Sequence, residues 1–229
     1  MKFCIERGNI VHCDTDAIVL PANEMLREGS GASTAIFQAA GRNELKKACK
    51  GMKLPLEVGM AVPTSGYNLK AAFIIHAVVP RWIDGEHNEY ELLSSAYRSS
   101  LEVADRMKCQ SVAFPLLASG NNGFDRELAF RIATESIKAF EASSLTVVKL
   151  IVFDEEMAVY VRAQGYDVDN RFTATGMKKA GIVAKGVAKD FLNDALQMGL
   201  DFINDEDNRK KIIKAGVEIA VLVIGKAAK

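Results

Sequence analysis

The amino-acid sequence predicts an α/β fold, a mostly parallel or mixed sheet covered by helices on both faces. Short β-branched runs such as Ala17-Ile18-Val19-Leu20 and Ala72-Phe73-Ile74-Ile75-His76-Ala77-Val78 are continuously apolar, as strands buried on both faces must be. Longer helical patterns separate them through about residue 165. A chain of 229 residues with 49% hydrophobic and 25% charged side chains has enough apolar material for a sizeable core, which excludes a disordered chain.

Taken in order, residues 2–6 read as the first strand and residues 17–20 as a second, buried one. Residues 32–40 are helical, and the pattern continues through Cys49. Residues 60–64 and 72–78 read as strands. A helix over 90–107 follows from the spacing of Leu93, Tyr97, Leu101 and Ala104. Residues 111–115 form a strand, 126–140 a helix, and 147–153 another strand. The run Asp154-Glu155-Glu156 reads as a helix start.

The chain changes character near residue 171, so residues 1–170 are read as one domain and 171–229 as a helical extension. Ala180, Ala184, Val187, Phe191, Ala195, Met198 and Phe202 recur at spacings of three and four, the stripe of an amphipathic helix. Asp205 or Asp207 could cap a second helix through 212–224, giving a helical hairpin. From residue 171 onward there are 11 Lys and Arg against 7 acids. Two uses stay open: packing on the domain or a second copy, and docking to a partner or membrane surface through Lys178, Lys179, Lys185 and Lys189.

Lysine plus arginine equals aspartate plus glutamate at 29 each, so binding of long nucleic acid through its phosphates is not expected. Cys4, Cys13, Cys49 and Cys109 show neither metal-ligand spacing nor a disulfide framework, and the start Met1-Lys2-Phe3 shows no signal peptide. Reduced thiols and a cytoplasmic location are expected. His12 and Cys13 are neighbours in an extended run and would point to opposite faces, which argues against a catalytic pair. No apolar run is long enough to span a membrane; 217–224 is too short.

Two loops carry the chemistry. Gly29-Ser30-Gly31-Ala32-Ser33-Thr34 leads into one helix, and Ala118-Ser119-Gly120-Asn121-Asn122-Gly123-Phe124 into another. Small side chains let backbone approach a ligand, and amides at a helix start point at an anion. Two such loops beyond adjacent strand ends could hold a diphosphate between them. Either loop taken singly would be a turn with a helix cap. The glycine spacing of a dinucleotide fingerprint and the phosphate-loop lysine of nucleotide hydrolases are both absent.

Several segments together resemble macrodomains. Gly8-Asn9-Ile10, Asp16-Ala17-Ile18-Val19-Leu20-Pro21-Ala22-Asn23 and the 29–41 segment are similar to the family's opening motifs. Ile74 to Trp82 resembles its I-H-x-V-x-P-x-W strand, and Ser111 to Phe124 its I-A-F-P-x-I-S-x-G-x-x-G-F segment. The likeness covers about the first 165 residues. It implies a three-layer α/β/α domain with a mixed central sheet that binds ADP-ribose, alone or on a modified protein. By position, Asn9 and Ile10 would meet the adenine end, with Phe153 stacking on the ring. Ala22, Gly29, Ser30, Gly31 and Ala32 would line one side of the ligand; Pro115, Ser119, Gly120, Asn121, Asn122, Gly123 and Phe124 would line the other. Asn23 matches the asparagine that orients the distal ribose in family hydrolases, although a turn or cap role is an equal alternative from the sequence.

The departures from the family pattern bear on catalysis. Asn9 replaces an acid, Leu20 an asparagine, Ser33 an aspartate that helps to orient water, and Asn122 an aromatic. Two functions stay open: a metal-independent ADP-ribosyl hydrolase, acting on a protein linkage or an acetyl ester with Asn23 and Ser33 in the catalytic positions, and a reader without turnover. No cofactor or metal site is expected. His76 reads as a buried strand residue, His87 as solvated in its polar loop, and Trp82 as packing at a strand end.

Overall fold

A computed structural model of the chain describes residues 1–171. The expected helical hairpin beyond them lies outside the described residues. Strands β1 (Lys2–Arg7), β2 (Ala17–Ala22), β3 (Ala61–Ser65), β4 (Phe73–Val78), β5 (Ser111–Pro115), β6 (Val147–Val152) and β7 (Val168–Asn170) form one sheet. The order across it is β3-β4-β2-β5-β6-β1-β7, with only β3 running antiparallel. The mixed sheet expected from the sequence is therefore mostly parallel with one antiparallel edge.

Five helices cover it: α1 (Ala32–Ala40), α2 (Arg42–Lys50), α3 (Glu89–Arg106), α4 (Arg126–Lys138) and α5 (Glu155–Ala163). Strand alternation decides which core each side chain joins. Ala17 and Val19 of β2 pack in the core with α3, α4 and α5, whereas Ile18, Leu20 and Ala22 pack with α1 and α2. The result is three layers, helix–sheet–helix. The acidic run at 154–156 does start a helix: the Asp154 side chain accepts from the Met157 N–H at 2.9 Å. β7 was not expected; it adds a parallel edge strand against β1, with Ile5 opposite Val168. Among the described residues no helix is long and apolar enough to cross a membrane.

The topology places a crevice at one point. From β2 the chain passes through α1 and α2 on one face and returns to β4. From β5 it passes through α4 on the other face to β6. The ladder between β2 and β5 covers only Ala17↔Val112 and Ile18↔Ala113, and Pro21 has no N–H to extend it. Loops leaving adjacent parallel strands toward opposite faces open a crevice beyond the carboxyl ends of the strands.

Candidate functional site

The crevice is a cleft of about 560 Å³ whose walls are the two loops anticipated from the sequence. Ala22, Asn23, Gly29, Ser30, Gly31, Ala32 and Ser33 line it from one side; Pro115, Ser119, Gly120, Asn121 and Asn122 line it from the other, with Phe153 at the end of β6. Phe153 is 66% exposed, an unusual position for a large aromatic that a stacking ligand would cover.

The first loop is set by α1. The Ser33 hydroxyl accepts from the Gly29 N–H at 3.0 Å, and the Thr34 hydroxyl donates to the Gly29 carbonyl at 2.5 Å. Gly31, at the helix N-cap, has φ 58° and ψ −124°, a conformation that favours glycine, and no side chain caps this helix. The backbone N–H groups of Ser30, Gly31 and Ala32 consequently have no acceptor among the described residues.

The second loop is held from beneath. The Leu117 N–H donates to the hydroxyl of fully buried Tyr97 at 3.0 Å, and Ser119 Oγ donates to the Leu116 carbonyl at 2.9 Å. Ala118 sits at φ +61°, a left-handed conformation held by these bonds and by Phe124 N–H to its carbonyl at 3.3 Å. Asn122 Nδ2 donates to the Pro80 carbonyl at 2.7 Å, and the Asn122 carbonyl accepts from the Trp82 N–H at 2.8 Å. Ser119, Gly120, Asn121 and Asn122 keep N–H groups without an acceptor among the described residues. Here the following helix contributes less, because Asp125 caps α4 itself, accepting from Leu128 N–H at 2.9 Å.

Asn23 sits at the carboxyl end of β2 with its amide turned into its own loop. Oδ1 accepts from Met25 N–H at 3.2 Å and Arg27 N–H at 3.0 Å, while Nδ2 donates to the Arg27 carbonyl at 2.8 Å. One Nδ2 proton is left over. The turn role and the ligand role weighed for this residue are thus compatible: three bonds fix the side chain, and the fourth is available at the cleft. Ser33 is 3% exposed, and its acceptor capacity is directed to Gly29.

This geometry, two glycine-rich loops at the switch point of a three-layer sheet, agrees with the family comparison. The family model described as Macro domain matches residues 19–133. The chain belongs to the Macro domain family. A Macro domain-containing protein of Caldanaerobacter subterraneus is 40% identical to this macrodomain over 166 residues, covering 71% of this chain and 95% of that protein. Another from Mesorhizobium japonicum is 44% identical over 162 residues, covering 69% and 91%. Among solved structures, the Oceanobacillus iheyensis macrodomain with ADP matches with TM-score 0.66 at 35% identity, over 69% of this chain and 87% of that one. The Trypanosoma brucei macrodomain in complex with ADP-ribose matches with TM-score 0.62 at 27% identity, over 69% and 66%.

Four expected ligand contacts of this macrodomain do not line the cleft. Asn9 Oδ1 accepts from Val11 N–H at 3.2 Å and caps a short 3-10 turn, Ile10–His12. Ile10 is 4% exposed in the core under α1 and α2. Gly123 serves the turn at φ +81°, and Phe124 is buried edge-on against Trp82, centroids 5.1 Å apart. Residues that sequence reasoning missed also reach the cleft: Glu24, Val58, Val79, Arg81, Arg126, Asp154 and Met157. Arg126 pairs with Asp154 and, at 3.3 Å, with Glu156, joining the starts of α4 and α5. Arg81 has no ion-pair partner among the described residues.

Beside the cleft, Asp84, His87 and Glu89 bring ligand-type atoms within 4.8 Å of one another, and His87, exposed to solvent as expected, also pairs with Asp84 at 2.9 Å. Burial pulls the Glu89 carboxyl upward, but backbone N–H groups including those of Gly85, Ile83 and His87 bring it down to about 2. The trio works as a clamp on the loop behind Trp82. Burial, then the Glu6 charge, push the Cys13 thiol up to about 11, away from the thiolate form.

Proposed function

We propose that this macrodomain binds ADP-ribose, free or on a modified protein, with the diphosphate between the two loops. The observation that carries the reading is the set of unpaired N–H groups on residues of both cleft walls, Ser30, Gly31 and Ala32 on one and Ser119 through Asn122 on the other. Hydrogen bonds to a charged group contribute roughly 1.5–3 kcal/mol each, and the uncapped start of α1 adds its dipole. Phe153 supplies a surface for the adenine ring, and the remaining Nδ2 proton of Asn23 meets a ribose hydroxyl. The ligands named for the Oceanobacillus and Trypanosoma macrodomains, ADP and ADP-ribose, support the same assignment.

Hydrolysis of an ADP-ribosyl linkage, on a protein or on an acetyl ester, is the second reading, and Asn23 favours it. A fixed amide that holds the ribose contributes by positioning, and water is the nucleophile with no metal required. Ser33 works against a fast reaction: where an aspartate would help water, it offers only a neutral hydroxyl whose oxygen already accepts from the Gly29 N–H. We place the protein in the cytoplasm, supported by the free cysteines Cys4, Cys13, Cys49 and Cys109. Self-association or partner contact is the use we propose for residues 171–229, on their amphipathic sequence pattern.

Calorimetric titration with ADP-ribose, paired with release assays on a mono-ADP-ribosylated protein and on the acetyl ester, tests both readings. Absence of binding overturns the first; binding with no release from either substrate leaves a reader.

A further inference from the structure

A second depression lies on the other side of the loop that carries Asn23. This groove, about 700 Å³, is lined by Met25, Leu26, Arg27, Lys46, Lys50 and Leu54, and it shares Gly29 with the ligand cleft. Its apolar part is Leu26, 2% exposed, with Met25, 42% exposed, and Leu54. Its charge is positive. Glu28, the one acid that lines it, is neutralised by Arg42 at 2.8 Å and Lys46 at 2.9 Å. Arg27 and Lys50 have no ion-pair partner among the described residues. Helix α2 extends the field, since its sequence RNELKKACK holds Glu44 as its one acid. This concentration runs against the rest of the domain, where residues 1–170 carry 18 Lys and Arg against 22 acids.

We propose that this groove docks an acidic polypeptide segment bearing an apolar side chain, the stretch flanking the modified residue of an ADP-ribosylated target. The proposal rests on the ADP-ribose reading of the cleft. An apolar side chain fits over Met25, Leu26 and Leu54, and neighbouring Asp or Glu side chains meet Arg27 and Lys50. Because Gly29 belongs to both depressions, one modified chain can engage them together, and the second contact then forms at high effective concentration. A single-stranded nucleic acid is a poor occupant, because no aromatic lines the groove to stack a base.

The test uses the full chain and four probes: free ADP-ribose, a mono-ADP-ribosylated peptide flanked by Asp, Glu and Leu, the same modification flanked by Lys and Ser, and an RNA oligonucleotide. Affinities come from calorimetry at two salt concentrations. The acidic peptide should bind at least tenfold tighter than the basic one, with the advantage shrinking at high salt. In the variant Lys46→Gln/Lys50→Glu the advantage should vanish, while affinity for free ADP-ribose stays within twofold. Equal affinity for the two peptides overturns the proposal, as does a matching loss for free ADP-ribose in the variant. An RNA oligonucleotide that binds more tightly than the acidic peptide, and is lost in the same variant, also overturns it. If wild-type protein fails to bind free ADP-ribose, the reading of the cleft falls first and the docking proposal falls with it, a failure distinct from lost peptide preference.

Discussion

Asn121 Nδ2 donates to Ser30 Oγ at 2.9 Å, joining the two loops across the cleft although 91 residues separate them in sequence. Both side chains are exposed, so the bond competes with water and adds well under about 1 kcal/mol to the fold. Its effect should be on exchange of ligand. In Asn121→Ala the melting temperature should move by less than about 2 °C, while stopped-flow traces with ADP-ribose show association and dissociation both several-fold faster. Unchanged rates would mean that the bond breaks before ligand enters and does not gate the cleft.

The loops themselves were legible because glycine, serine and asparagine at strand ends have a local physical meaning. What those side chains do there was not. Asn122 reads as a missing aromatic, yet it fastens its loop to the Pro80 carbonyl, a partner 42 residues away. Ser33 reads as a missing acid, and only the folded loop shows its hydroxyl turned to Gly29. Arg81 and Glu24 join the cleft because β4 and β2 end side by side, a fact of sheet order rather than of spacing. β7 escaped because three residues are too few to show a period, and its partner is at the other end of the domain.

Glycines of the two loops should differ in what they tolerate. A Cβ on Gly31 or on Gly120 meets nothing within 4 Å, so space does not distinguish them. Backbone conformation does, since only Gly31 has a positive φ, with ψ −124°. Gly31→Ala should lower stability by about 1–3 kcal/mol, whereas Gly120→Ala should shift it by less than about 0.5 kcal/mol. Urea midpoints at constant m-value measure both. Equal losses would show that the Gly31 conformation relaxes freely.

Asn23 invites a comparison of alanine with aspartate. Asn23→Ala removes the acceptor of the Met25 and Arg27 N–H groups, a loss of about 1 kcal/mol for an exposed turn. Asn23→Asp keeps that acceptor but removes the Nδ2 donor. Stability should therefore recover only in part in the aspartate variant, because a carboxylate oxygen then faces the Arg27 carbonyl to which Nδ2 donates. If the protein releases ADP-ribose, kcat should stay at least tenfold low in both variants, while the dissociation constant for ADP-ribose rises by a smaller factor. Recovery of kcat in Asn23→Asp would assign the residue to loop support alone.

His76 makes stability depend on pH in a definite direction. Its ring is fully buried, with Nε2 2.9 Å from Thr64 Oγ1 and Nδ1 without a hydrogen-bond partner. Burial disfavours the charged ring and lowers its pKa from 6.5 to about 4. The unfolded chain takes up a proton near pH 6.5, but the folded one does so only near pH 4. Stability from this group is therefore complete above about pH 7, falls as pH drops through 6.5, and levels off below 4. The whole window is worth about 3 kcal/mol, and the loss at pH 5 relative to pH 7.5 about 2 kcal/mol. Urea unfolding of wild type and His76→Gln at both pH values isolates the contribution. The variant should be less stable at pH 7.5, because Thr64 loses a fitted partner, yet it should fall by about 2 kcal/mol less on acidification. Parallel losses in the two proteins would mean that the ring is protonated within the fold, with a partner for Nδ1.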